Sequence, residues 1–305
     1  MQKVEKIWVD GAMVPWDDAT EHVLAHTLHY GLGVFEGIRA YEQPDGKPAV
    51  FRLPEHIDRL FESAHICMIE VPYTRQQVTD ACLETIQINN LENAYLRPII
   101  YIGYGKLGLG TTTNPTRTVV AAFEWGAYLG DEGLKKGIRC MVSSFRRGNV
   151  DGTMSKGKIC GQYTTSILAN REAVKCGFDE ALMLDQHGLL AEGSGENVFV
   201  IKDGIVRTPP LSASILAGIT RASAITLARE LGYDVREEQV TRDQLWVADE
   251  IFLTGTAAEV TPVREVDHRQ IGSGEPGPIT RRVQDHFFAV VRGKSDTHRD
   301  WLTVA

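Results

Sequence analysis

Three kinds of segment in this sequence could carry chemistry, and the first is built around a lysine. Lys158 opens the run K-I-C-G-Q-Y, where a glycine-rich loop, residues 147–157, meets a predicted helix. A lysine at such a junction can be held by the scaffold and still present its amine to a cleft, where it can bind an aldehyde. A solvated surface lysine is the plainer interpretation, because lysine is almost never buried. Lys156 lies close by and competes for any such role.

The second kind of segment carries two carboxylates. Glu192 and Glu196 lie in the run E-G-S-G-E-N between two predicted strands. A strand-to-strand turn there would bring both side chains near a common cavity. A polar turn built around Gly193 and Gly195 explains the same residues without any ligand.

The third kind of segment offers main-chain N–H groups to an anion. The run A-G-I-T at residues 217–220 leads into a predicted helix, where Gly218 allows close approach and Thr220 is a natural N-cap. The run G-T-A-A at residues 255–258 follows a predicted strand and adds a hydroxyl group. A plain capped helix and a tight turn are the alternatives for these two runs.

Together these segments match the needs of pyridoxal phosphate. Its aldehyde needs a lysine, its pyridine nitrogen needs an acidic partner in order to stay protonated, and its phosphate needs N–H donors and an arginine. No single segment is specific for this cofactor, and the prediction rests on the combination.

The elements that must position these groups predict an α+β protein of two domains. Asp10-Gly11 is a strong hairpin turn between strands, and a second hairpin is predicted from residues 34–41 and 48–52. Helices are predicted from Pro54, from Thr74 with a capping box to Gln77, and over residues 164–176, 220–231 and 279–292. We predict a small α/β domain over residues 1–125, a glycine-rich linker over 126–137 and a larger domain over 138–305.

Composition excludes several other classes of protein. The 305 residues carry a net charge of −8 and no basic run, which argues against binding to nucleic acid. The five cysteines are odd in number and form no CxxC pair, which favours reduced thiols and a cytoplasmic location. No stretch approaches the roughly 20 apolar residues of a membrane span. His22, His26 and His29 have the spacing of metal ligands on a helix, but the glycines that follow argue against one, so no metal is predicted.

Seven segments resemble, in order and spacing, the motifs of branched-chain aminotransferases, which belong to fold type IV of the pyridoxal-phosphate enzymes. The resemblance extends from about residue 5 to residue 292. The segments are H-Y-G-L-G-V-F-E-G-I-R-A-Y (29–41), F-R-L-P-E-H-I-D-R-L (51–60), Y-L-R-P (95–98), K-I-C-G-Q-Y (158–163), A-E-G-S-G-E-N (191–197), A-G-I-T-R (217–221) and G-T-A-A-E-V-T-P (255–262). The resemblance implies a larger domain with a mainly antiparallel, barrel-like sheet.

The resemblance also implies a role for individual residues around the cofactor. Lys158 would bind the aldehyde and act as the catalytic base, and Tyr163 would hydrogen-bond the phenolic oxygen. Glu192 would pair with the pyridine nitrogen, with Glu196 behind it. The phosphate would be held by Arg59, Ile219, Thr220 and Thr256.

The implied substrate residues fall into three groups. The apolar side-chain pocket would be shaped by Tyr30, Phe35, Trp125 and Tyr128, and Gly37 is a further residue of the substrate site. The α-carboxylate would be received by Tyr95 with the N–H groups of Thr256 and Ala257. The second carboxylate of glutamate would be received by Arg97, with Arg39 as a further candidate. The family is at least dimeric, and the neighbouring subunit supplies part of each pocket.

The implied activity is a ping-pong transfer of the amino group between leucine, isoleucine or valine and 2-oxoglutarate, so amino acids and 2-oxo acids are the small-molecule partners. A D-amino-acid or (R)-amine transaminase is the alternative within the fold, and an aminodeoxychorismate lyase is a further relative. A non-catalytic protein that binds a phosphate ligand is the alternative from another class. Ile159, Cys160 and Gln162 depart from the usual pattern and leave the substrate preference open.

Overall fold

The computed structural model describes residues 3–126 and 129–305. The chain divides into two compact units. Unit 1 comprises Met1–Trp125, Gly157–Gln162 and Val290–Ala305, and unit 2 comprises Gly126–Lys156 and Tyr163–Ala289.

The strands are β1 (Lys6–Val9), β2 (Ala12–Pro15), β3 (Gly33–Phe35), β4 (Ile38–Glu42), β5 (Pro48–Phe51), β6 (Ala94–Ile102), β7 (Thr116–Phe123), β8 (Ile138–Arg146), β9 (Glu180–Leu184), β10 (Leu190–Gly193), β11 (Asn197–Lys202), β12 (Ile205–Thr208), β13 (Asp234–Glu237), β14 (Glu250–Gly255), β15 (Glu259–Val266), β16 (Arg269–Gln270) and β17 (Leu302–Val304). The helices are α1 (His26–Tyr30), α2 (Leu53–Ile66), α3 (Arg75–Ile88), α4 (Gly130–Lys136), α5 (Val150–Thr153), α6 (Tyr163–Lys175), α7 (Ile219–Glu230), α8 (Arg242–Trp246) and α9 (Pro278–Val291).

Unit 1 is built on an antiparallel sheet in the order β17-β5-β4-β6-β7-β1-β2, and β3 also pairs with β6. The first hairpin forms because Asp10 and Gly11 both adopt positive φ angles, as a tight two-residue turn between twisted strands requires. Helix α3 begins with the predicted capping box of Thr74 and Gln77. Both of these local predictions are confirmed.

The two faces of the unit 1 sheet have different roles. Leu96 and Ile100 of β6 are fully buried in a core that includes Leu53 and Leu60 of α2. Because side chains alternate along a strand, Tyr95 and the neighbouring odd-numbered residues of β6 point to the opposite face. That face is where the aromatic and basic residues of the sequence motifs collect.

The second predicted hairpin differs in detail from the structure. The predicted strand over residues 34–41 is divided into β3 and β4, with Glu36 and Gly37 between them. Val34 and Ile38, on either side of the break, are both fully buried in the same core, so the alternation of side chains continues through it. The Glu36 carboxylate consequently lies on the α2 side, although that side is otherwise apolar.

Unit 2 contains a curled half-barrel sheet in the order β10-β9-β8-β15-β14-β11-β12-β13, with β16 added to β15. Most neighbouring strands are antiparallel, whereas β8 is parallel to both β9 and β15, and β12 is parallel to β13. Helix α6 connects β8 to β9, as a parallel pair requires. The predicted α+β class with a mainly antiparallel, barrel-like sheet is confirmed.

The predicted division at residues 125 and 138 stays a prediction. Part of the proposed linker forms α4 in unit 2, and residues 157–162 and 290–305 belong to unit 1. Across residues 3–126 and 129–305, we find no helix with the length and hydropathy needed to cross a bilayer.

Candidate active site

Lys158 is held in unit 1 through its main chain. Its N–H group donates to Ser63 Oγ on α2 at 3.0 Å, and its carbonyl accepts from the N–H group of Phe35 on β3 at 3.1 Å. The Lys158 amine lies 5.0 Å from the centre of the Phe35 ring. The backbone is therefore fixed from two sides, while the half-buried side chain extends over an aromatic wall.

Lys156, the competing lysine, belongs to unit 2 and has a different environment. Its Nζ donates to the carbonyl oxygens of Ala213 at 3.2 Å and Ile215 at 2.8 Å. Burial lowers the pKa of this amine, although Glu192 opposes the shift. The contacts of Lys156 are those of a residue that holds the loop at 213–215.

Arg97 and the aromatic residues form one cluster on the face of the unit 1 sheet that lies opposite α2. The Arg97 guanidinium lies 4.9 Å from the Phe35 ring centre, and its Nη2 donates to the Tyr95 hydroxyl at 3.1 Å. The β4–β6 register sets Arg39 opposite Tyr95. Trp125 packs edge-on against Tyr95 with ring centres 4.6 Å apart. Phe35 is therefore flanked by both the Lys158 amine and a guanidinium, an arrangement suited to an amino acid with an acidic or apolar side chain.

Gly37 is required for this cluster because the Tyr95 hydroxyl occupies the space of a side chain there. A Cβ atom added to Gly37 would lie 1.9 Å from that hydroxyl oxygen. We expect Gly37→Ala to displace Tyr95 and to lower kcat/KM on the order of 10²-fold, since small displacements of a positioning group have effects of that size. Steady-state kinetics with a substrate of the family that the motifs resemble would measure the loss.

Gly152→Ala is the matched control for this substitution, because nothing lies within 4 Å of a Cβ atom at Gly152. A Gly37→Ala protein that kept the full kcat/KM would contradict the role of the Tyr95 hydroxyl.

Tyr30, one of the predicted pocket residues, stands apart from this cluster. Tyr30 ends α1, is 42% exposed and packs against His26, with ring centres 4.5 Å apart. Tyr128 lies outside the described residues. The nearby histidines bond to main chain: His26 Nε2 lies 3.0 Å from the Gly108 carbonyl oxygen, and His29 Nε2 lies 3.0 Å from that of Val23. Within residues 3–126 and 129–305, no group of three or more His, Cys, Asp or Glu side chains could hold a metal ion.

Arg59, a predicted phosphate ligand, is part of a buried ionic cluster in unit 1. Its Nε and Nη2 donate to the two carboxylate oxygens of Glu36 at 2.7 and 2.9 Å. His56 Nδ1 lies 2.7 Å from the same carboxylate. Burial raises the pKa of Glu36, but Arg59 and His56 outweigh it and hold the pKa far below the ordinary value of a glutamate. The carboxylate is therefore ionised and locks the guanidinium in place.

Glu192, the predicted partner of the pyridine nitrogen, belongs to unit 2 and is held by several donors. Arg147 Nη2 lies 2.8 Å from one oxygen. The other oxygen accepts from Asn197 Nδ2 at 3.1 Å and from the Leu216 N–H group at 3.0 Å. Three donors around a buried carboxylate favour its charged form. Such a carboxylate can keep a nearby ring nitrogen protonated.

Glu196 lies in the turn between β10 and β11, and Tyr163 lies at the start of a helix. Glu196 is buried, and its carboxylate accepts from the Gly195 N–H group at 3.1 Å, so it stabilises the turn that follows Glu192. Tyr163 is the first residue of α6. Because Tyr163 directly follows the unit 1 segment that contains Lys158, the sequence alone keeps the two residues close along the chain.

The start of α7 provides the predicted anion-binding groups. Gly218 is the N-cap residue and the helix begins at Ile219, so Thr220 is inside the helix and the prediction that it caps the helix is wrong. Ile219 and Thr220 are both buried, and no N-cap side chain accepts from the first turn. A Cβ atom at Gly218 would lie 1.9 Å from Asn197 Oδ1. Close packing and helix N–H groups without a side-chain cap therefore coincide at this point.

Thr256 and Ala257 lie in the tight connection between β14 and β15. The two strands pair up to Gly255 and Glu259, so the connection holds three residues in a sharp turn. Glu259 adopts a positive φ of 56°, which is uncommon for a residue other than glycine. A three-residue turn offers closely spaced N–H groups, which suits an anion site.

Comparison with known proteins decides the family. The family model of class IV amino-transferases matches residues 33–266, which is most of the chain. The chain belongs to the class IV aminotransferase family.

Relatives of this aminotransferase cover nearly its full length. The chain is 50% identical over 298 residues to the branched-chain-amino-acid aminotransferase of Pseudomonas aeruginosa, covering 98% of this chain and 96% of that protein. It superposes with a TM-score of 0.96 on the crystal structure of the Escherichia coli branched-chain amino acid aminotransferase, at 45% identity and 99% coverage of both chains. It also superposes with a TM-score of 0.93 on the branched-chain amino acid aminotransferase of Thermobaculum terrenum, solved in its PLP form. That match has 32% identity and covers 100% of this chain and 99% of the other.

Four residues of this class IV aminotransferase hold predicted site residues, and the sequence analysis did not identify them. Glu36 and His56 hold Arg59, and Arg147 and Asn197 hold Glu192. A signal existed for three of them, because Glu36, His56 and Asn197 lie inside the motifs quoted above. Arg147 lies in the glycine-rich loop, where only the fold reveals its partner.

Proposed function

We propose that this class IV aminotransferase uses pyridoxal phosphate to move the amino group of L-leucine, L-isoleucine or L-valine to 2-oxoglutarate. The observation that carries the proposal is the Phe35 ring, which lies beside both the Lys158 amine and the Arg97 guanidinium. An apolar wall next to a cation can serve a branched aliphatic chain in one half-reaction and the second carboxylate of glutamate in the other. The names of the relatives described above support the same substrates.

The residues present fit the proposed cofactor in chemistry. Lys158 would bind the aldehyde, Glu192 the pyridine nitrogen and Tyr163 the phenolic oxygen. Phosphate donors would be Arg59, the first amides of α7 at Ile219 and Thr220, and the turn at Thr256. Glu196 would support the turn that follows Glu192. The fit is supported by the uncapped, buried start of α7 and by Gly218, where a side chain would fill the cradle. When bound, the cofactor withdraws electrons from the α-carbon of the substrate.

In the proposed mechanism the chain binds, orients and moves one proton. Tyr95 and the N–H groups of Thr256 and Ala257 receive the α-carboxylate, which fixes the direction of the α-hydrogen. The Lys158 amine takes that proton and later returns it to the product side. Glu192, held charged by its three donors, keeps the ring nitrogen protonated. The same groups act in both half-reactions. The enzyme keeps the amino group after the first product leaves, which gives ping-pong kinetics.

We expect Arg97→Ala to separate the two substrates. Loss of the guanidinium removes a charged partner of the second carboxylate and should raise the KM for glutamate on the order of 10- to 100-fold, since hydrogen bonds to charged groups contribute that much. The KM for leucine should stay nearly unchanged. The measurement is the half-reaction of each amino acid in turn.

Arg39→Ala is the comparison for Arg97→Ala, because Arg39 is the other candidate for this role. Equal losses for leucine and glutamate in the Arg97 variant would contradict the assignment, and a selective loss in the Arg39 variant would transfer it.

We also propose that the chain acts as a homodimer or a higher homo-oligomer. An apolar patch of unit 1 supports this, because two segments that are joined by a bridge between Ala25 and Tyr104 expose large apolar residues side by side. Exposed patches of this kind often mark interfaces. The exposed residues are Val23, Leu24, Leu28, Tyr30, Tyr104, Leu107 and Leu109. The cytoplasmic location inferred from the cysteines stays a prediction.

The absorbance spectrum of the purified protein tests the proposed function. We expect a yellow protein whose visible band bleaches when L-leucine is added and returns when 2-oxoglutarate follows. A yellow protein that ignores L-leucine and bleaches with D-alanine or an (R)-amine would favour the D-amino-acid or (R)-amine alternative. A protein that stays colourless with added pyridoxal phosphate would contradict the transaminase proposal.

A further inference from the structure

The ionic cluster of Glu36, His56 and Arg59 lies on the helix side of the unit 1 sheet, where the neighbouring residues are apolar. Glu36 is completely buried and His56 is 1% exposed. Burying a carboxylate has a large desolvation cost, and well-packed apolar residues are often at least as stabilising as a buried ion pair. Fold stability alone therefore gives a weak reason for these three residues.

The protonation states of Glu36 and His56 allow both residues to hold the Arg59 guanidinium in one orientation. Burial lowers the pKa of His56, and Arg59 and Lys158 add to the shift while Glu36 opposes it. The imidazole is therefore neutral near pH 7, and its Nδ1–H group can donate to Glu36 Oε2. The ionised carboxylate accepts from His56 and, through both oxygens, from Arg59. Arg59 is thus held by two charge-assisted hydrogen bonds, which fix the plane of its guanidinium.

The same face of α2 also holds the Lys158 peptide. His56, Arg59 and Ser63 are spaced so that they share one side of the helix. Ser63 Oγ donates to the Arg59 carbonyl oxygen at 2.7 Å and accepts from the Lys158 N–H group at 3.0 Å. One helical face therefore sets the positions of a proposed phosphate ligand and of the lysine segment.

We propose that Glu36 and His56 are positioning residues for cofactor binding, which hold Arg59 in the orientation that receives the phosphate group. The inference rests on the proposed function, since it assigns Arg59 to the phosphate of pyridoxal phosphate. An arginine that is ordered in advance loses less side-chain freedom when it binds its ligand. Glu36 and His56 therefore raise the affinity for the ligand without contacting it. The effect of Glu36 and His56 on affinity must therefore depend on the phosphate group of the cofactor.

The test compares two ligands that differ only in the phosphate group. Full-length protein stripped of cofactor is titrated with pyridoxal phosphate and with pyridoxal, and binding is followed by absorbance. For Glu36→Gln we expect the affinity for pyridoxal phosphate to fall about 10- to 100-fold, as for loss of an interaction with a charged group. The affinity for pyridoxal should change by less than about twofold, because pyridoxal makes no contact with Arg59.

Two controls test whether Glu36 acts through Arg59. Glu62→Gln removes one carboxylate from an exposed position of the same helix and should leave both affinities unchanged. In an Arg59→Ala background, Glu36→Gln should cause no further loss for pyridoxal phosphate, because the group that it positions is absent. A further loss in that background would overturn the inference.

A pair of His56 variants keeps the inference testable if Glu36→Gln fails to fold. The Nδ2 atom of asparagine can replace Nδ1 of histidine, so His56→Asn should retain phosphate-dependent affinity, whereas His56→Leu should lower it. Equal behaviour of these two variants would overturn the inference.

The outcomes also separate the inference from the proposed function. Equal falls for pyridoxal phosphate and pyridoxal, or no fall for either, in a protein whose wild type binds pyridoxal phosphate would overturn the inference alone. A wild-type protein that binds neither ligand would overturn both.

Discussion

Replacement of Lys158 by alanine is expected to reduce transamination on the order of 10⁵-fold, the size of loss seen when a covalent catalytic group is removed. The amine is the group that binds the aldehyde and moves the α-proton. Lys156 is a poor substitute, since it donates to the carbonyl oxygens of Ala213 and Ile215. The measurement is the single-turnover rate with leucine, together with the absorbance spectrum. An added small primary amine should restore part of the proton transfer.

Lys175→Ala is the control for this substitution, because Lys175 is exposed at the end of α6. A Lys158→Ala protein that retained turnover within tenfold of the wild type would contradict the assignment of the lysine. A variant that bound phosphate ligands and kept its biological role would instead favour the non-catalytic binding protein.

Glu192→Gln is expected to lower kcat on the order of 10²- to 10³-fold, as for the removal of one preorganised charged or polar group from an active site. The neutral amide cannot hold a proton on the ring nitrogen. The amide N–H₂ group of the glutamine would face either Arg147 or the donors of Asn197 and Leu216. In either orientation a donor would face another donor and lose its acceptor. The measurement is the rate of the first half-reaction at saturating leucine.

Glu196→Gln is the matched comparison for Glu192→Gln. Glu196 accepts from the Gly195 N–H group in the turn and should act only through the position of that turn, so its loss should be smaller. A larger loss for the Glu196 variant would exchange the two assignments.

Local features were predictable from the sequence because neighbouring residues determine them. The Asp10-Gly11 turn and the Thr74 capping box need only a few adjacent residues, and both occur as predicted. Helices α6, α7 and α9 likewise begin and end close to their predicted residues, because an apolar stripe and a terminal glycine or N-cap are local signals. The lysine, glutamate and helix-start segments were found in the same way.

Contacts between distant residues could not be predicted. No local signal links Glu36 to Arg59, and the sequence predicted one continuous hairpin strand over residues 34–41. The pairing of Arg147 with Glu192 brings a glycine-rich loop to a strand end and depends on the whole sheet of unit 2. Strand β17 was missed for the same reason, since it is short and its partner is β5, near the other end of the sequence.

The chain order of unit 1 has a consequence for synthesis on the ribosome. β17 forms the edge of the sheet next to β5, and it is translated only after all of unit 2. Until then the nascent chain exposes β5 as an unpaired edge, a template for pairing with other chains. The segment around Lys158, which pairs with Val34 through Ile159, also emerges after much of that sheet. A truncated product that ends near Trp125 should therefore need a chaperone or aggregate, even though its sequence contains most of the sheet.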